Sequence, residues 1–288
     1  MEIIKNADMA EFTSFRAGGH AKELIIVDST EELKSVLNDL KKSGEKHMLI
    51  GNGSNILFMD QGYSGTVVKL GGSFEEITVK DDTVICGGAA LLSKVARAAL
   101  DSSLTGFEFA AGIPGSVGGA MFMNAGAYGG EMKDIVKCVN LMSKDGSEVY
   151  TLRCDEMDFG YRHSRLEESG EIVLSVEYKL QKGDETEIKD KMNELMKKRN
   201  DKQPVNFPSA GSFFKRPEGD FAGRLVEAAG LRGLSVGGAQ VSEKHCGFVI
   251  NKGGATADDI IALMHLVQNT VNDKFQVMLE PEVRIIGD

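Results

Sequence analysis

The stretch from Gly106 to Gly130, GFEFAAGIPGSVGGAMFMNAGAYGG, constrains the fold of this chain more than any other segment. It holds eight of the 34 glycines, and no charged residue lies between Glu108 and Glu131. Glycine loses more backbone entropy on ordering than any other residue, so a packed protein keeps such a segment where backbone must approach another group closely. We expect that group to be an anionic cofactor.

Two other interpretations of this stretch are less favourable. It is long enough to span a bilayer, and Gly115 and Gly119 form a GxxxG pair of the kind seen on membrane helices. However, Pro114, Asn124 and the density of glycine make it a poor helix. Apolar residues recur throughout it, whereas flexible linkers are polar. We therefore predict ordered, mostly buried backbone and no membrane insertion.

Composition narrows the functional classes. A chain of 288 residues predicts two or three domains. A formal net charge of −10 argues against binding to nucleic acid or to anionic membranes, because both require excess Lys and Arg. The four cysteines are scattered without a C-x-x-C motif, and the first residues show no export signal. We expect a cytoplasmic protein without a metal site.

The first part of the chain has the pattern of a β-α-β unit followed by short strands. A capping box at Ser29–Glu32 begins a helix between two apolar runs, Leu24–Val27 and Met48–Ile50. Asp145-Gly146 separates two alternating segments and predicts a hairpin. The other predicted elements are the strands Thr66–Leu70, Thr83–Cys86 and Ile172–Leu180 and a helix over Leu91–Leu100.

A polar run at Gln181–Thr186 marks a second region, and we place a domain boundary near residue 185. The region begins with a predicted helix that uses Ile188, Met192, Leu195 and Met196 as apolar positions. Its other predicted elements are a helix near Phe221–Ala229, a strand at Phe248–Ile250, a helix capped by Thr256–Asp259 with one apolar face (Ile260, Leu263, Met264, Val267, Val271), and a final strand at Pro281–Ile286.

Two glycine loops have the composition of a phosphate site. Gly51–Asn55, GNGSN, follows an apolar strand, and its small residues allow several backbone N–H groups to point at one anion. It is neither a dinucleotide G-x-G-x-x-G, because Ile56 takes the third glycine position, nor a P-loop. Alone it is more typical of an ordinary β-turn. Together with Gly112–Ser116, GIPGS, it predicts two loops that hold one diphosphate from both sides.

Further motifs, in the same order along the chain, resemble those of a known family. They are GIPGSVGGA at 112–120, MNAGAYGGE at 123–131, Tyr161-Arg162-x-Ser164, AGSFFK at 210–215, GGAQVSEKH at 237–245 and Glu280-Pro281-Glu282-Val283-Arg284. With GNGSN, this set resembles the UDP-N-acetylenolpyruvoylglucosamine reductases, the MurB family of flavoenzymes. The resemblance covers about Phe15 to Gly287. Only nine residues separate Arg162 from Ile172, which is similar to the shorter, type II members that lack an inserted substrate-capping loop.

The resemblance implies an α+β fold with a FAD-binding domain of the vanillyl-alcohol-oxidase type. The FAD domain would be residues 1–185, with subdomains of about 1–70 and 71–185. Residues 186–288 would form an α+β substrate domain whose last strand, 280–287, returns to the active site. The implied cofactor is non-covalent FAD, with NADPH as co-substrate. The implied partner is UDP-N-acetylglucosamine enolpyruvate, which would be reduced to UDP-N-acetylmuramate in peptidoglycan precursor synthesis. We expect the protein to be a monomer.

The resemblance also implies residue roles. Ser212 matches the family's proton donor, and Arg162 and Glu282 match its active-site partners. Arg162 would bind the substrate carboxylate as charge develops, and Glu282 would polarise or protonate it from the opposite side. The implied substrate contacts are Tyr161, Lys202, Gly211 and Lys215, and the implied cofactor contacts are Gly51, Asn52, Gly53, Ser54, Asn55, Gly112, Ile113, Pro114, Gly115, Ser116, Gly119, Ala120 and Arg284.

Alternatives remain open at this point. Taken singly, Ser212 is more typical of a turn hydroxyl, Arg162 of a surface strand residue and Glu282 of a solvated edge charge. An oxidase of the same FAD fold is a second candidate, although the matching loops offer no His or Cys for covalent FAD. A non-catalytic nucleotide-sugar-binding protein is a third. The sequence also departs from the family at His20, where Pro is usual, and at Arg216, where Asn is common.

Overall fold

The computed structural model of the protein describes all 288 residues and combines helices and strands, as expected for an α+β chain. The strands are β1 (Glu2–Asp8), β2 (His20–Val27), β3 (His47–Ile50), β4 (Ile56–Phe58), β5 (Tyr63–Leu70), β6 (Ile77–Lys80), β7 (Thr83–Gly87), β8 (Leu104–Thr105), β9 (Gly126–Ala127), β10 (Gly130–Glu131), β11 (Val136–Met142), β12 (Val149–Arg153), β13 (Ile172–Lys179), β14 (Gln181–Lys182), β15 (Ser235–Val236), β16 (Ala239–Val241), β17 (Val249–Asn251) and β18 (Arg284–Ile286). The helices are α1 (Thr30–Ser43), α2 (Leu92–Asp101), α3 (Val117–Phe122), α4 (Leu166–Ser169), α5 (Glu185–Lys202), α6 (Ala222–Ala228) and α7 (Ala257–Phe275).

The chain forms two compact units that no single cut in the sequence separates. The first unit consists of Met1–Ile4, Leu24–Asn52 and Thr66–Lys198, and the second of Lys5–Glu23, Gly53–Gly65 and Arg199–Asp288. The boundaries fall inside β1, β2, β5 and α5 and in the GNGSN loop. Residue 185, where we placed the domain boundary, is the first residue of α5. The division of function between residues 1–185 and 186–288 stays a prediction.

The first unit begins with the predicted β-α-β pattern. β3 pairs in parallel with β5, in a sheet whose strand order is β1-β2-β5-β3. The Oγ of Ser29 accepts a hydrogen bond from the Glu32 N–H at 3.2 Å and begins α1. The Glu32 carboxylate accepts from the Asp28 N–H at 2.8 Å, one residue before the position that a capping box uses. The predicted helix start is therefore confirmed with a modified cap.

A five-stranded antiparallel sheet, β12-β11-β13-β7-β6, forms the rest of the first unit together with α2 and α3. The predicted hairpin around Asp145 is confirmed as β11 and β12, and the predicted helix over Leu91–Leu100 is α2. The core of this part contains Tyr178 and Phe107, whose rings meet edge to face with centroids 5.0 Å apart. The glycine stretch lies along this core, and its Val117, Ala120 and Met121 are buried.

The second unit packs α6 and α7 with the three-stranded antiparallel sheet β15-β16-β17. The predicted capping box of α7 is confirmed: the Thr256 hydroxyl accepts from the Asp259 N–H, and the Asp259 carboxylate accepts from the Thr256 N–H. All five residues of the predicted apolar face of α7 are buried. The Asp60 carboxylate adds two further hydrogen bonds to this helix terminus, from the N–H groups of Ala257 and Asp258 at 2.9 and 2.8 Å.

The final strand is shorter than the predicted Pro281–Ile286. The structure forms β18 only at Arg284–Ile286, where it runs parallel to β4. Pro281 has no N–H to donate and makes an isolated bridge with Phe214 instead. The segment therefore changes its partner between Pro281 and Arg284, which the alternation of apolar residues did not reveal.

The glycine stretch contains only one α-helix, α3, which has six residues. Across the whole chain, no α-helix combines the length and the apolar character that crossing a bilayer requires.

Candidate active site

The first two residues of the GNGSN loop, Gly51 and Asn52, adjoin the GIPGS loop within the first unit. The side-chain amide of Asn52 donates a hydrogen bond to the carbonyl of Pro114 at 3.1 Å. A Cβ added to Gly51 would lie 2.5 Å from the Oγ of Ser116, so the two loops are too close there for any larger residue. Ser116 is 3% exposed, and its Oγ accepts from the Gly119 N–H at the start of α3. The spacing of the two loops is therefore set by direct contact.

The GNGSN loop also provides the donors that a diphosphate requires. The N–H groups of Asn52, Gly53 and Ser54 make no backbone hydrogen bond in the protein. Gly53 has φ +63°, and a left-handed residue within such a run turns successive N–H groups toward one point. Lys69 adds a cation, with its Nζ 3.5 Å from the Gly51 carbonyl, and burial lowers the pKa of this amine. The donor set fits the diphosphate of FAD.

The remaining predicted cofactor contacts of the first unit lie on the same loop or on α3. Gly112, Ile113 and Gly115 precede the helix, and the Gly115 carbonyl accepts from the Leu92 N–H at 3.0 Å. Ala120 lies in α3 and is 3% exposed, because its methyl group packs in the core. The burial of Ala120 therefore argues against the predicted ligand contact by its side chain.

Within the second unit, the end of the GNGSN loop meets the segment that precedes β18. The Asn55 side-chain amide donates to the carbonyl of Glu282 at 3.1 Å, and the Arg284 N–H donates to the carbonyl of Asn55 at 3.0 Å. These two hydrogen bonds fix the backbone on both sides of Val283, which is buried. The predicted cofactor residues Asn55 and Arg284 and the predicted catalytic residue Glu282 thus lie together.

Ser212 and Glu282 are on adjacent antiparallel segments of the second unit. The Glu282 N–H donates to the Phe213 carbonyl, and the Lys215 N–H donates to the Glu280 carbonyl, both at 2.8 Å. Phe213 and Phe214 are buried, whereas Ser212 is exposed. Gly211 has φ +78° with open space around it. The predicted substrate residue Lys215 lies on the same segment, with its Nζ 3.6 Å from the Glu280 carboxylate.

Lys202 is the last residue of α5, in a cluster of basic side chains of the second unit. The Lys244 ammonium donates to the Asn200 carbonyl in the last turn of that helix, a position that favours cations. The Nδ1 of His245 accepts from the Gly247 N–H at 3.0 Å. Burial lowers the pKa of His245, and the charge of Lys202 lowers it further. His245 is therefore held as a neutral imidazole beside cations.

The other predicted site residues, Tyr161 and Arg162, occupy the tip of a tight turn in the first unit. Gly160 and His163 exchange both backbone hydrogen bonds, at 3.0 and 3.4 Å. Arg162 has φ +53°, a conformation that is uncommon for a residue with a side chain. Its guanidinium carbon lies 5.3 Å from the centre of the Tyr161 ring. The predicted catalytic residues are thus distributed between the two units, Arg162 in the first and Ser212 and Glu282 in the second.

The pKa of His163 is expected to lie above the ordinary value of 6.5, and the pKa of His245 is expected to lie below it. Asp158 and Glu167 raise the pKa of His163, with ring nitrogens 3.2 and 3.5 Å from their carboxylates, whereas burial lowers the pKa of His245. On acidification, His163 should protonate first. An NMR titration of the imidazole signals checks this order, and Asp158→Asn should return the pKa of His163 toward 6.5.

The sign of each contribution to stability follows from linkage. The ion pairs of His163 stabilise the fold fully below pH 6.5, and this contribution is lost as the pH rises through the raised pKa. His245 acts in the opposite direction, because the unfolded chain takes up its proton more readily. Stability from this residue is lost as the pH falls from 6.5 toward the lowered pKa. Protonation of His245 before His163 would contradict both assignments.

Two family models and a solved structure match this chain. Residues 21–152 match the family model of the FAD binding domain, and residues 203–286 match that of the UDP-N-acetylenolpyruvoylglucosamine reductase C-terminal domain. A solved structure of UDP-N-acetylenolpyruvylglucosamine reductase (MurB) from Thermus caldophilus superposes with a TM-score of 0.85 at 35% identity, over 99% of this chain and 98% of that one. These matches confirm the fold that the motifs predicted.

Curated relatives match over the whole chain. The UDP-N-acetylenolpyruvoylglucosamine reductase of Clostridioides difficile (strain 630) is 50% identical over 287 residues, which are 100% of this chain and 94% of the relative. The protein with the same name from Latilactobacillus sakei is 47% identical with the same coverage. Identity of this extent across both matched domains leaves no part of the chain unaccounted for. The chain belongs to the UDP-N-acetylenolpyruvoylglucosamine reductase family.

Proposed function

We propose that this protein is an NADPH-dependent, FAD-mediated reductase that converts UDP-N-acetylglucosamine enolpyruvate to UDP-N-acetylmuramate in peptidoglycan precursor synthesis. Its family membership and its FAD-binding domain support the reaction class. The structural observation that carries the proposal is the antiparallel pairing of Phe213 with Glu282, which brings the segment of Ser212 beside that of Glu282. A proton donor and a carboxylate held by backbone hydrogen bonds suit a reaction that must quench a carbanion.

The cofactor would be held by the loops already described. Backbone N–H groups of Gly51–Ser54, and in the second loop those of Gly112 and Ser116, would bind the diphosphate, with Gly119, Asn55 and Arg284 alongside. Pro114 has no N–H, and the N–H groups of Ile113 and Gly115 donate to carbonyls of the protein, so these three residues would contribute the shape of the loop. Ala120 contributes packing rather than a side-chain contact, given its burial. When bound, FAD supplies the hydride carrier between NADPH and the enolpyruvyl group. No cysteine or histidine lies within either loop, so binding is proposed to be non-covalent.

The protein's own residues would stabilise the charge that hydride addition creates on the substrate. A hydride delivered to the methylene carbon leaves negative charge on the adjacent carbon and its carboxylate. Arg162 can pair with that carboxylate through two parallel hydrogen bonds. Ser212 would give its hydroxyl proton to the carbon, and Glu282 would polarise the substrate from the opposite side.

Basic residues would recognise the UDP group. Its diphosphate carries negative charge, and the chain is acidic overall with a net charge of −10, so binding requires local cations. Lys202 and Lys215 supply them, with Tyr161 and the open backbone of Gly211 as further contacts. The matches to separate FAD-binding and C-terminal family models support assigning FAD to residues 1–185 and substrate to 186–288.

We also propose that the protein acts as a cytoplasmic monomer. The four cysteines, Cys86, Cys138, Cys154 and Cys246, are all free thiols, which fits a reducing compartment. Size-exclusion chromatography with light scattering tests the monomer, because a dimer would elute with twice the mass of 31.1 kDa.

The proposed reaction is tested directly with purified protein. A yellow preparation that loses its flavin to the supernatant on acid precipitation would establish non-covalent FAD. NADPH should then be consumed in proportion to added UDP-N-acetylglucosamine enolpyruvate, with UDP-N-acetylmuramate as the product in mass spectrometry. NADPH oxidation that needs only oxygen would favour an oxidase, and ligand binding without NADPH oxidation would favour a non-catalytic binding protein.

A further inference from the structure

We propose that Asn124 is a positioning residue of the active site, which holds the Tyr161–Arg162 turn and the Glu131 carboxylate in fixed places. The inference rests on the function proposed above, because it assumes that Arg162 binds the substrate carboxylate. In the sequence, Asn124 is distinguished only as a residue that disfavours a helix and as a lone amide in an otherwise apolar stretch.

The side chain of Asn124 is buried and almost fully hydrogen-bonded. It is 1% exposed, and its Nδ2 donates to the Gly160 carbonyl at 3.0 Å and to the Glu131 carboxylate at 2.9 Å. Its Oδ1 accepts from the Lys133 N–H at 3.0 Å. The orientation of the amide is unambiguous, because the nitrogen faces two acceptors and the oxygen faces a donor. Asn124 therefore joins the end of α3 to two other segments.

One of those segments is the turn that carries Arg162. Gly160, the residue before the tip, is held by Asn124, and Ser164, on the other side, donates its buried hydroxyl to the Phe122 carbonyl at 2.9 Å. The turn is thus clamped to the end of α3 on both sides. A left-handed Arg162 persists only where its surroundings enforce that conformation. These two clamps, together with the backbone hydrogen bonds between Gly160 and His163, hold the turn in that conformation.

The other segment carries Glu131, whose carboxylate accepts the second hydrogen bond from the Asn124 amide. The Lys133 ammonium, the Asn124 amide and the Arg162 charge hold the pKa of Glu131 below its usual value. Glu131 is therefore ionised at neutral pH, and its field attracts the Arg162 guanidinium. Asn124 fixes the carboxylate by one amide hydrogen and the turn by the other. The same side chain thereby sets both the backbone position and the electrostatic surroundings of Arg162.

Asn124→Asp gives the sharpest test, because it keeps the shape but replaces both donated hydrogen bonds by contacts between oxygen atoms. We expect oxidation of the reduced enzyme by the enolpyruvyl substrate to slow by about 10- to 100-fold, the scale of a misplaced catalytic group. Flavin reduction by NADPH should stay within about 2-fold, because it needs no stabilised carboxylate. Stopped-flow absorbance measures the two half-reactions separately.

Two further variants separate positioning from general support of the fold. Lys133→Met removes the exposed ion pair with Glu131 but keeps the backbone N–H that Asn124 uses, and both half-reactions should be unchanged. Ser164→Ala removes the other clamp and should slow the same half-reaction as Asn124→Asp. A merely structural Asn124 would instead lower FAD content and both half-reactions in proportion, and that result would overturn the inference.

The remaining outcomes of these experiments also test the role of Asn124. Wild-type rates of substrate reduction in Asn124→Asp overturn this inference alone, whereas a wild-type protein that reduces no enolpyruvyl substrate overturns the proposed function as well. If Asn124→Asp does not fold, Glu131→Gln replaces it, because Gln retains the size of Glu131 and removes only its charge. A KM for the enolpyruvyl substrate raised by about 10-fold would support the network, and an unchanged KM and kcat would overturn it.

Discussion

Replacing Ser212 by alanine is expected to lower kcat for the enolpyruvyl substrate by about 10²- to 10⁴-fold, the contribution of a positioned general acid. The Ser212 side chain is exposed, and its neighbour Phe213 supplies the packing and the backbone hydrogen bonds of this segment. Its removal should therefore leave the melting temperature and the FAD content unchanged. NADPH should still reduce the bound flavin at nearly the wild-type rate, because that step takes no proton from Ser212.

Anaerobic stopped-flow measurement of the two half-reactions checks this expectation. Ser212→Cys should recover part of the lost rate, since a thiol places an acidic proton at nearly the same point. Ser209→Ala, on the same segment, is the matched control, because the backbone rather than the side chain of Ser209 makes its hydrogen bonds to Ser14. If Ser212→Ala retains wild-type turnover, another group protonates the substrate and the role given to Ser212 is wrong.

Elements whose signals are local were predicted correctly from the sequence. The α7 helix begins at a capping box whose two hydrogen bonds join residues three apart, and its apolar face repeats at helical spacing. The β11–β12 hairpin is likewise defined by a short turn at Asp145. Such contacts form between neighbours in the chain, so a sequence pattern contains all the information that they need.

Elements that depend on distant partners were not predictable in the same way. β18 begins at Arg284 because its partner, β4, offers three residues in parallel register, and no pattern in the sequence records that pairing. The boundaries of the two units fall inside strands β1, β2 and β5 rather than in the connections between elements. Chain path and unit boundaries are set by long-range packing, so composition shifts such as the polar run at Gln181–Thr186 locate them only approximately.

The candidate site likewise combines features that sequence motifs predict with features that only the folded structure shows. The motifs predicted roles for Ser212, Arg162 and Glu282, which stay predictions. The structure adds what no motif contains, namely the antiparallel pairing of Phe213 with Glu282 and the left-handed φ of Arg162. Asn124 was missed because its partners, Gly160 and Glu131, are brought to it only by folding. Supporting residues of this kind have no fixed spacing from the groups that they position.

Among glycine-to-alanine substitutions in the GNGSN loop, Gly53→Ala is expected to lower the free energy of unfolding the most. Gly53 has φ +63°, where alanine costs about 1 to 2 kcal/mol relative to a right-handed conformation. Its Cβ would also overlap the Phe12 carbonyl and lie 2.9 Å from the Cα of Thr13, so backbone would have to move. Overpacking of this kind costs about 1 to 3 kcal/mol more. We expect urea unfolding of the FAD-free protein to show the summed loss.

Gly254→Ala is a matched control, because it separates the two costs. Gly254 has φ +66° in the same unit, but nothing lies within 4 Å of an added Cβ, so only the conformational cost of about 1 to 2 kcal/mol should appear. FAD affinity, measured by flavin fluorescence, should fall in Gly53→Ala and remain normal in Gly254→Ala. Equal losses of stability and affinity in the two variants would mean that the close approach of Gly53 to Phe12 does not shape the loop. A wild-type FAD affinity in Gly53→Ala would mean that the diphosphate does not depend on the backbone conformation of the GNGSN loop at Gly53.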